Sequence, residues 1–118
     1  MLPDFNNSIE LLEFLHKEPL YEKFLLQLKK DFELVTVKLD FQLDILPTDL
    51  KQLVHEKIYF LLLEQFQKYL NLLYVVDIPE HAIKNINALD EVDVSDEVCF
   101  LVLKREWQKV WFKHRYSS

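Results

Sequence analysis

A helical pattern of apolar residues dominates the middle of the sequence, from Thr48 to Val76. Apolar side chains recur there at three- and four-residue spacing, which is typical of one face of an α-helix. Phe60, Leu63 and Tyr74 widen this face beyond that of an ordinary surface helix. A helix that is apolar over most of its circumference needs neighbours on several sides. We therefore predict that residues 48–76 form the central helix of a small domain.

The same periodicity predicts several further helices around this one. Capping residues and prolines mark where each of them begins. The expected elements are a helix from Ser8 to about Lys17, a second beginning at Pro19, a short one after Pro79, and a last helix, capped by Asp93 or Ser95, that runs to about Arg115.

A different period appears between Val35 and Ile45. Every odd position in this segment is apolar and every even position is polar, which is the signature of a β-strand. A strand needs a partner for its backbone groups, and residues 74–78, 92–94 and 98–103 are the candidates within the chain. The other candidate is the same segment of a second copy, which would make the protein a homodimer with Val37, Leu39 and Phe41 at the contact. Pairing with the sheet edge of a partner protein is also open. The alternatives to a strand are an extended arm packed over the helices, or a helix that forms in spite of the pattern.

The composition is that of one globular domain spanning residues 1–118. Half of the residues are hydrophobic and 29% are charged, a balance that permits a single core. There is no glycine, which argues against Gly-rich phosphate-binding loops and hence against nucleotide-dependent enzymes. The fold class that we predict is mostly α: four or five helices packed around the 48–76 helix, with one extended or β segment at 35–45.

Candidate catalytic and metal-binding residues are few. The single cysteine, Cys99, lies in an apolar run where burial keeps a thiol unreactive. Glu13 and His16 form one Glu-x-x-His pair, but the second copy that helical di-iron proteins use is missing. We therefore expect no enzyme activity, no metal and no cofactor.

The last helix combines basic and aromatic residues. Lys104, Arg105 and Lys109 are interleaved with Trp107 and Trp111. Such a mixture suits phosphate contacts and base stacking, but the four-residue spacing of the tryptophans also fits a ridge that faces the core or a protein partner. The net charge of −6 makes nucleic acid the less favoured partner, because the acidic remainder of the chain repels it.

An acidic stretch precedes this helix. It combines a solvated loop with a helix start, and it is the second candidate surface for a partner. Its five carboxylates are Asp90, Glu91, Asp93, Asp96 and Glu97.

Together these patterns predict a small, non-enzymatic, acidic protein that binds another protein, as an adaptor, a subunit or an inhibitor. One alternative is an acidic inhibitor of a basic nucleic-acid-binding protein, such as an immunity protein, an antitoxin or an inhibitor of a defence system. The other is nucleic-acid binding through the last helix. The N-terminus has no secretory signal pattern, and polar residues interrupt the apolar run at 58–76, so we expect a cytoplasmic protein without a membrane span.

Overall fold

Six α-helices make up most of residues 3–116, the part of the chain that the computed structural model describes. The protein is compact and mostly helical, as the sequence pattern predicts, and residues 3–116 contain no β-strand. The helices are α1 (Ser8–His16), α2 (Tyr21–Leu34), α3 (Pro47–Glu64), α4 (Phe66–Val76), α5 (Glu80–Lys84) and α6 (Glu91–Tyr116).

The long C-terminal helix α6 lies at the centre of the fold. It packs against α1, α2, α3 and α4, and its most extensive contact is with α3. Its inward side is fully buried along several turns, at Val98, Val102 and Leu103 among others. The prediction that the 48–76 segment would be central was therefore only partly right, since that segment shares the centre with α6.

The predicted 48–76 helix is two helices that meet at Gln65. The backbone of Gln65 (φ −140°, ψ 62°) lies outside the helical region, which ends α3 and begins α4. Its N–H group still donates to the Leu61 carbonyl at 3.0 Å, and its carbonyl accepts from the Tyr69 N–H at 3.1 Å. Because these bonds continue across the break, the apolar periodicity continues too, and the sequence gives no sign of the bend.

The segment after α2 does not form the predicted strand. Val37, Leu39 and Phe41 are buried in the chain's own core, while the residues between them are exposed. The alternating pattern therefore reflects burial on one side of the segment and not pairing in a sheet. Side chains of α2 supply hydrogen bonds to this segment: Lys29 Nζ donates to the Phe41 carbonyl at 2.6 Å, and the Tyr21 hydroxyl to the Ile45 carbonyl at 2.8 Å.

Two helix starts differ from the predicted capping residues. The Asn7 side chain caps α1 by accepting from the Glu10 N–H at 2.9 Å, and Ser8 is the first buried residue of that helix. Asp90 accepts from the Asp93 N–H at 2.8 Å at the start of α6. Ser95, a predicted cap, is instead buried inside α6, where its hydroxyl donates to the Val92 carbonyl.

None of the helices within residues 3–116 combines the length and the apolar character that crossing a membrane requires.

Candidate protein-binding surfaces

The aromatic residues of the predicted C-terminal surface are largely internal. Trp107 is buried and packs edge-on against Phe14 of α1, with the ring centroids 6.4 Å apart. Trp111 is half-buried and contacts Phe112. Trp107 therefore belongs to the core, and only Trp111 reaches the surface.

The basic residues predicted on the same helix all contact acidic groups of this chain. Lys104 Nζ lies 3.7 Å from a carboxylate oxygen of Asp4. Arg105 holds the end of α4, since Nε donates to the Asp77 carbonyl at 3.1 Å and Nη2 to the Asp77 carboxylate at 2.9 Å. This contact holds the pKa of Asp77 below its usual value. Both cations are thus paired with acidic groups of the same chain.

Lys109 is the cation of a buried polar cluster between α2, α4 and α6. Its Nζ atom donates to Asp31 Oδ2 at 2.6 Å and to Glu106 Oε1 at 3.2 Å, and it approaches the Val75 and Val76 carbonyls at 3.3 and 3.4 Å. Both carboxyl side chains are buried. The cluster places two acids and one ammonium group in the core.

The two acids of this cluster differ in their protonation. Burial raises the pKa of Glu106 to about 9, and the neighbouring Asp31 raises it too, against the opposing effect of Lys109. Burial also favours neutral Asp31, but hydrogen bonds with Glu106, Lys109 and Gln27 outweigh it and lower the pKa of that group. These opposite shifts favour a neutral Glu106 beside an ionised Asp31.

The predicted acidic stretch lies at the N-terminus of α6, where carboxylates complement the helix dipole. Asp90, Glu91, Asp93 and Glu97 are exposed. Asp96 is half-buried and forms an ion pair with Lys51 of α3, with a nitrogen–oxygen distance of 2.6 Å. Four of the five carboxylates are thus at the surface, and Asp96 connects α6 to α3.

A basic groove that the sequence analysis missed lies between α2 and the end of α6. It has a volume of about 390 Å³. Its α2 side follows the three- and four-residue spacing of a helix face, a signal that is visible in the sequence once α2 is placed beside α6. We call it the α2–α6 groove, and it is lined by Lys23, Leu26, Gln27, Lys30, Val110, Lys113 and His114.

An apolar stripe runs along the outer side of α4. Phe66, Leu70 and Tyr74 are spaced four residues apart and lie on one side of the helix. All three are exposed, and Tyr74 has 87% of its surface in solvent. Phe60 and Leu63, in the last turns of α3, are exposed as well. The sequence pattern placed Phe66 and Leu70 on the main apolar face, and Phe60, Leu63 and Tyr74 beside it, and assigned all of them to the interior.

Cys99 is buried, as predicted, and burial raises the pKa of its thiol to about 12. Within residues 3–116 no three or more His, Cys, Asp and Glu side chains are grouped so that they could hold a metal ion.

Comparison of the chain with models of protein families, with curated proteins and with solved structures finds no match.

Proposed function

We propose that this protein is a non-enzymatic binding protein and that Phe66, Leu70 and Tyr74, the apolar stripe of α4, contact its protein partner. The observation that carries the proposal is that α3 and α4 have more apolar side chains than the rest of the chain covers. A different set of α4 residues supplies the core, namely Tyr69, Leu72, Leu73 and Val76. The stripe is thus apolar surface that the fold of this chain does not cover.

The size of the exposed surface supports a role in binding. An aromatic side chain covers about 150–250 Å², so the stripe together with Phe60 and Leu63 exposes several hundred Å². Contiguous apolar patches of about 300–600 Å² are the largest on typical monomers and often mark interaction sites. A scattered pair of exposed leucines would carry no such argument.

The residues beside the stripe define the chemistry of the partner. Gln67 and Asn71 are exposed and uncharged, and Lys68 is the one charged residue in the sequence of α4. A partner that complements this surface presents an apolar helix face with few charges, docked along α4. Because apolar burial drives such a contact, we expect its affinity to depend only weakly on salt.

Tyr74→Glu tests the proposal, with Thr48→Glu, at the start of α3, as the matched control. Both residues are exposed, so neither change removes a core contact, and both add the same charge. Tagged wild-type protein and both variants are expressed in the native cells, and the captured proteins are compared by quantitative mass spectrometry. We expect one protein to be captured by the wild type and the control and to fall at least tenfold with Tyr74→Glu.

That captured protein is then purified and titrated with the three forms, so that direct binding is measured. Equal affinities for wild type and Tyr74→Glu would contradict the proposal, as would the absence of any protein that distinguishes Tyr74→Glu from the control. Sedimentation of the purified chain shows whether a second copy is the partner.

A further inference from the structure

The α2–α6 groove is positively charged on a chain whose net charge is −6. Lys23, Lys30 and Lys113 surround it, and none of its lining residues is acidic. No ion pair joins these three lysines to any residue between 3 and 116, whereas Lys51, Lys104 and Lys109 each have an acidic neighbour. The groove is therefore lined by three lysines that form no ion pair within residues 3–116.

The lining of the groove also includes two apolar residues. Leu26 is 52% exposed, and Val110 belongs to the core. A ligand that matches this surface needs carboxylates at the lysines and an apolar side chain over Leu26. An inorganic anion would satisfy only the first requirement.

Residues 89–93 have this complementary chemistry. Leu89 is fully exposed, Val92 is half in solvent, and Asp90, Glu91 and Asp93 are exposed acids around them. We call residues 89–93 the acidic ridge. It is a short exposed segment that combines three carboxylates with two apolar side chains.

The ridge cannot reach the groove of its own chain. Glu91 begins α6 and Val110 lies near its end, so at 1.5 Å per residue they are about 28 Å apart along the helix axis. The two surfaces can meet only between two molecules. We propose that the α2–α6 groove of one copy binds the acidic ridge of a second copy, head to tail.

This contact has two physical consequences. Since it joins two different surfaces, each molecule in a pair keeps one free groove and one free ridge, and association continues into a ring or a filament. Because opposite charges at the surface drive it, rising salt should weaken it. Both consequences differ from those expected of a contact through the apolar stripe of α4. The proposal does not depend on the function of that stripe.

Two charge reversals test the contact. Lys113→Glu disables the groove and leaves the ridge intact, and Glu91→Lys does the reverse. Both residues are exposed, and circular dichroism checks that each variant folds. Lys38→Glu and Glu13→Lys are matched controls, because they make the same charge changes at exposed positions outside both surfaces.

Sedimentation velocity at low salt measures the association of each form. The wild type and both controls are expected to show a mass that grows with concentration beyond the 14.3 kDa monomer and that decreases when salt is added. Each charge-reversal variant alone should remain a monomer. An equimolar mixture of the two should associate again, because one intact groove meets one intact ridge.

A wild type that stays monomeric at its highest soluble concentration in low salt would overturn the proposal. Association that persists in Lys113→Glu, or that is insensitive to salt, would assign self-association to another surface. A mixture of the two variants that remains monomeric would also overturn it.

Discussion

Glu106 shows at the level of one residue how a carboxyl group can stay in the core. A buried charge is costly unless it is paired, and Lys109 already neutralises Asp31 at 2.6 Å. A second negative charge on Glu106 would lack compensation, so the group keeps its proton, with a pKa raised to about 9. The cluster therefore tolerates one ionised acid and one neutral acid.

This arrangement predicts a pH dependence of stability. The pKa of Glu106 is 4.5 without the fold and about 9 within it, so between these values the folded chain binds more protons than the unfolded chain. The free energy contributed by this proton is complete below pH 4.5 and decreases as pH rises toward 9. Glu106→Gln keeps the shape of the side chain and is neutral at every pH, so it should remove this decrease.

Urea unfolding at several pH values between 4.5 and 9 measures the effect, with Glu97→Gln, an exposed site on the same helix, as the control. Near the upper end of this range we expect Glu106→Gln to be more stable than the wild type. Parallel pH profiles for wild type and Glu106→Gln would show that Glu106 ionises normally in the fold.

The cation of the cluster gives a second prediction. Lys109→Met keeps the aliphatic length but leaves Asp31 without its ammonium partner. Removing one member of a buried pair costs about 3–5 kcal/mol. Because the side chain of Lys109 is 23% exposed, we expect about 3 kcal/mol, at the lower end.

Chemical denaturation of dilute protein measures this loss. Lys113→Met, one turn later and exposed, should change the free energy of unfolding by about 0.5 kcal/mol or less. Equal effects of the two changes would mean that the cluster contributes nothing specific.

Periodicity contained a usable signal for these buried acids. Asp31 lies seven residues after Phe24 and three after Leu28, and Glu106 lies three after Leu103 and four before Val110. Both acids thus fall within the apolar face of their helices. The sequence could not show that Lys109 and the two acids lie in contact, because this contact depends on how α2 packs against α6.

At the level of elements, the absence of glycine leaves non-glycine residues in the left-handed conformation at two helix ends. After α2, the Val37 N–H donates to the Phe32 carbonyl and the Thr36 N–H to the Glu33 carbonyl; after α4, Ile78 and Asp77 donate to Leu73 and Tyr74 in the same pattern. This is the Schellman arrangement, whose left-handed residue is usually glycine. Here Thr36 (φ 60°) and Asp77 (φ 71°) occupy that position.

Thr36→Gly is therefore expected to stabilise the protein. A left-handed non-glycine residue costs about 1–2 kcal/mol, while glycine loses about 0.5–1 kcal/mol more on folding. The net gain should be about 0.5–1 kcal/mol from these two effects, measured by thermal and urea unfolding.

Asp77→Gly is the informative comparison, because it relieves the same backbone conformation but removes the carboxylate that bonds Arg105. We expect it to gain less than Thr36→Gly or to lose stability. A destabilised Thr36→Gly would mean that the Thr36 hydroxyl, which donates to the Val35 carbonyl at 2.6 Å, outweighs the backbone effect.

The boundaries of elements show where sequence patterns stop being informative. The bend at Gln65 leaves the apolar spacing of α3 and α4 intact, so a single helix was the natural prediction. The segment at 35–45 has the period of a strand because one side of it packs on the core. A period of two residues shows that every second side chain is buried. Such a segment is a strand only when its backbone also pairs with a neighbouring backbone.

At the level of the whole molecule, the compact, mostly helical fold followed from apolar spacing, while the surfaces did not. The sequence assigned Trp107 and Val37 to a partner contact, yet the fold uses both in its core. It assigned Tyr74 and Leu70 to the core, yet both are exposed. Single-helix periodicity shows that a face is apolar, but the arrangement of the other helices decides whether it is covered.

The segment at 38–44 combines buried side chains with backbone N–H groups that have no backbone acceptor in the described part of the chain. Within residues 3–116, no N–H group of residues 38–44 donates to another backbone group. These amides should therefore exchange with deuterium much faster than those of α3 and α6, although Leu39 and Phe41 are as buried as helical residues. Hydrogen exchange followed by mass spectrometry measures this difference.

The same experiment decides whether 35–45 is a dimer contact. If two copies pair their segments as strands, the N–H groups of 38–44 gain acceptors, and their exchange slows as protein concentration rises. Contact through the α2–α6 groove would instead slow exchange at residues 89–93, and contact through the stripe would act on α4. We expect 38–44 to exchange rapidly at every concentration, because Val37, Leu39 and Phe41 already face the chain's own core. Concentration-dependent protection confined to 38–44 would contradict this expectation and establish strand pairing.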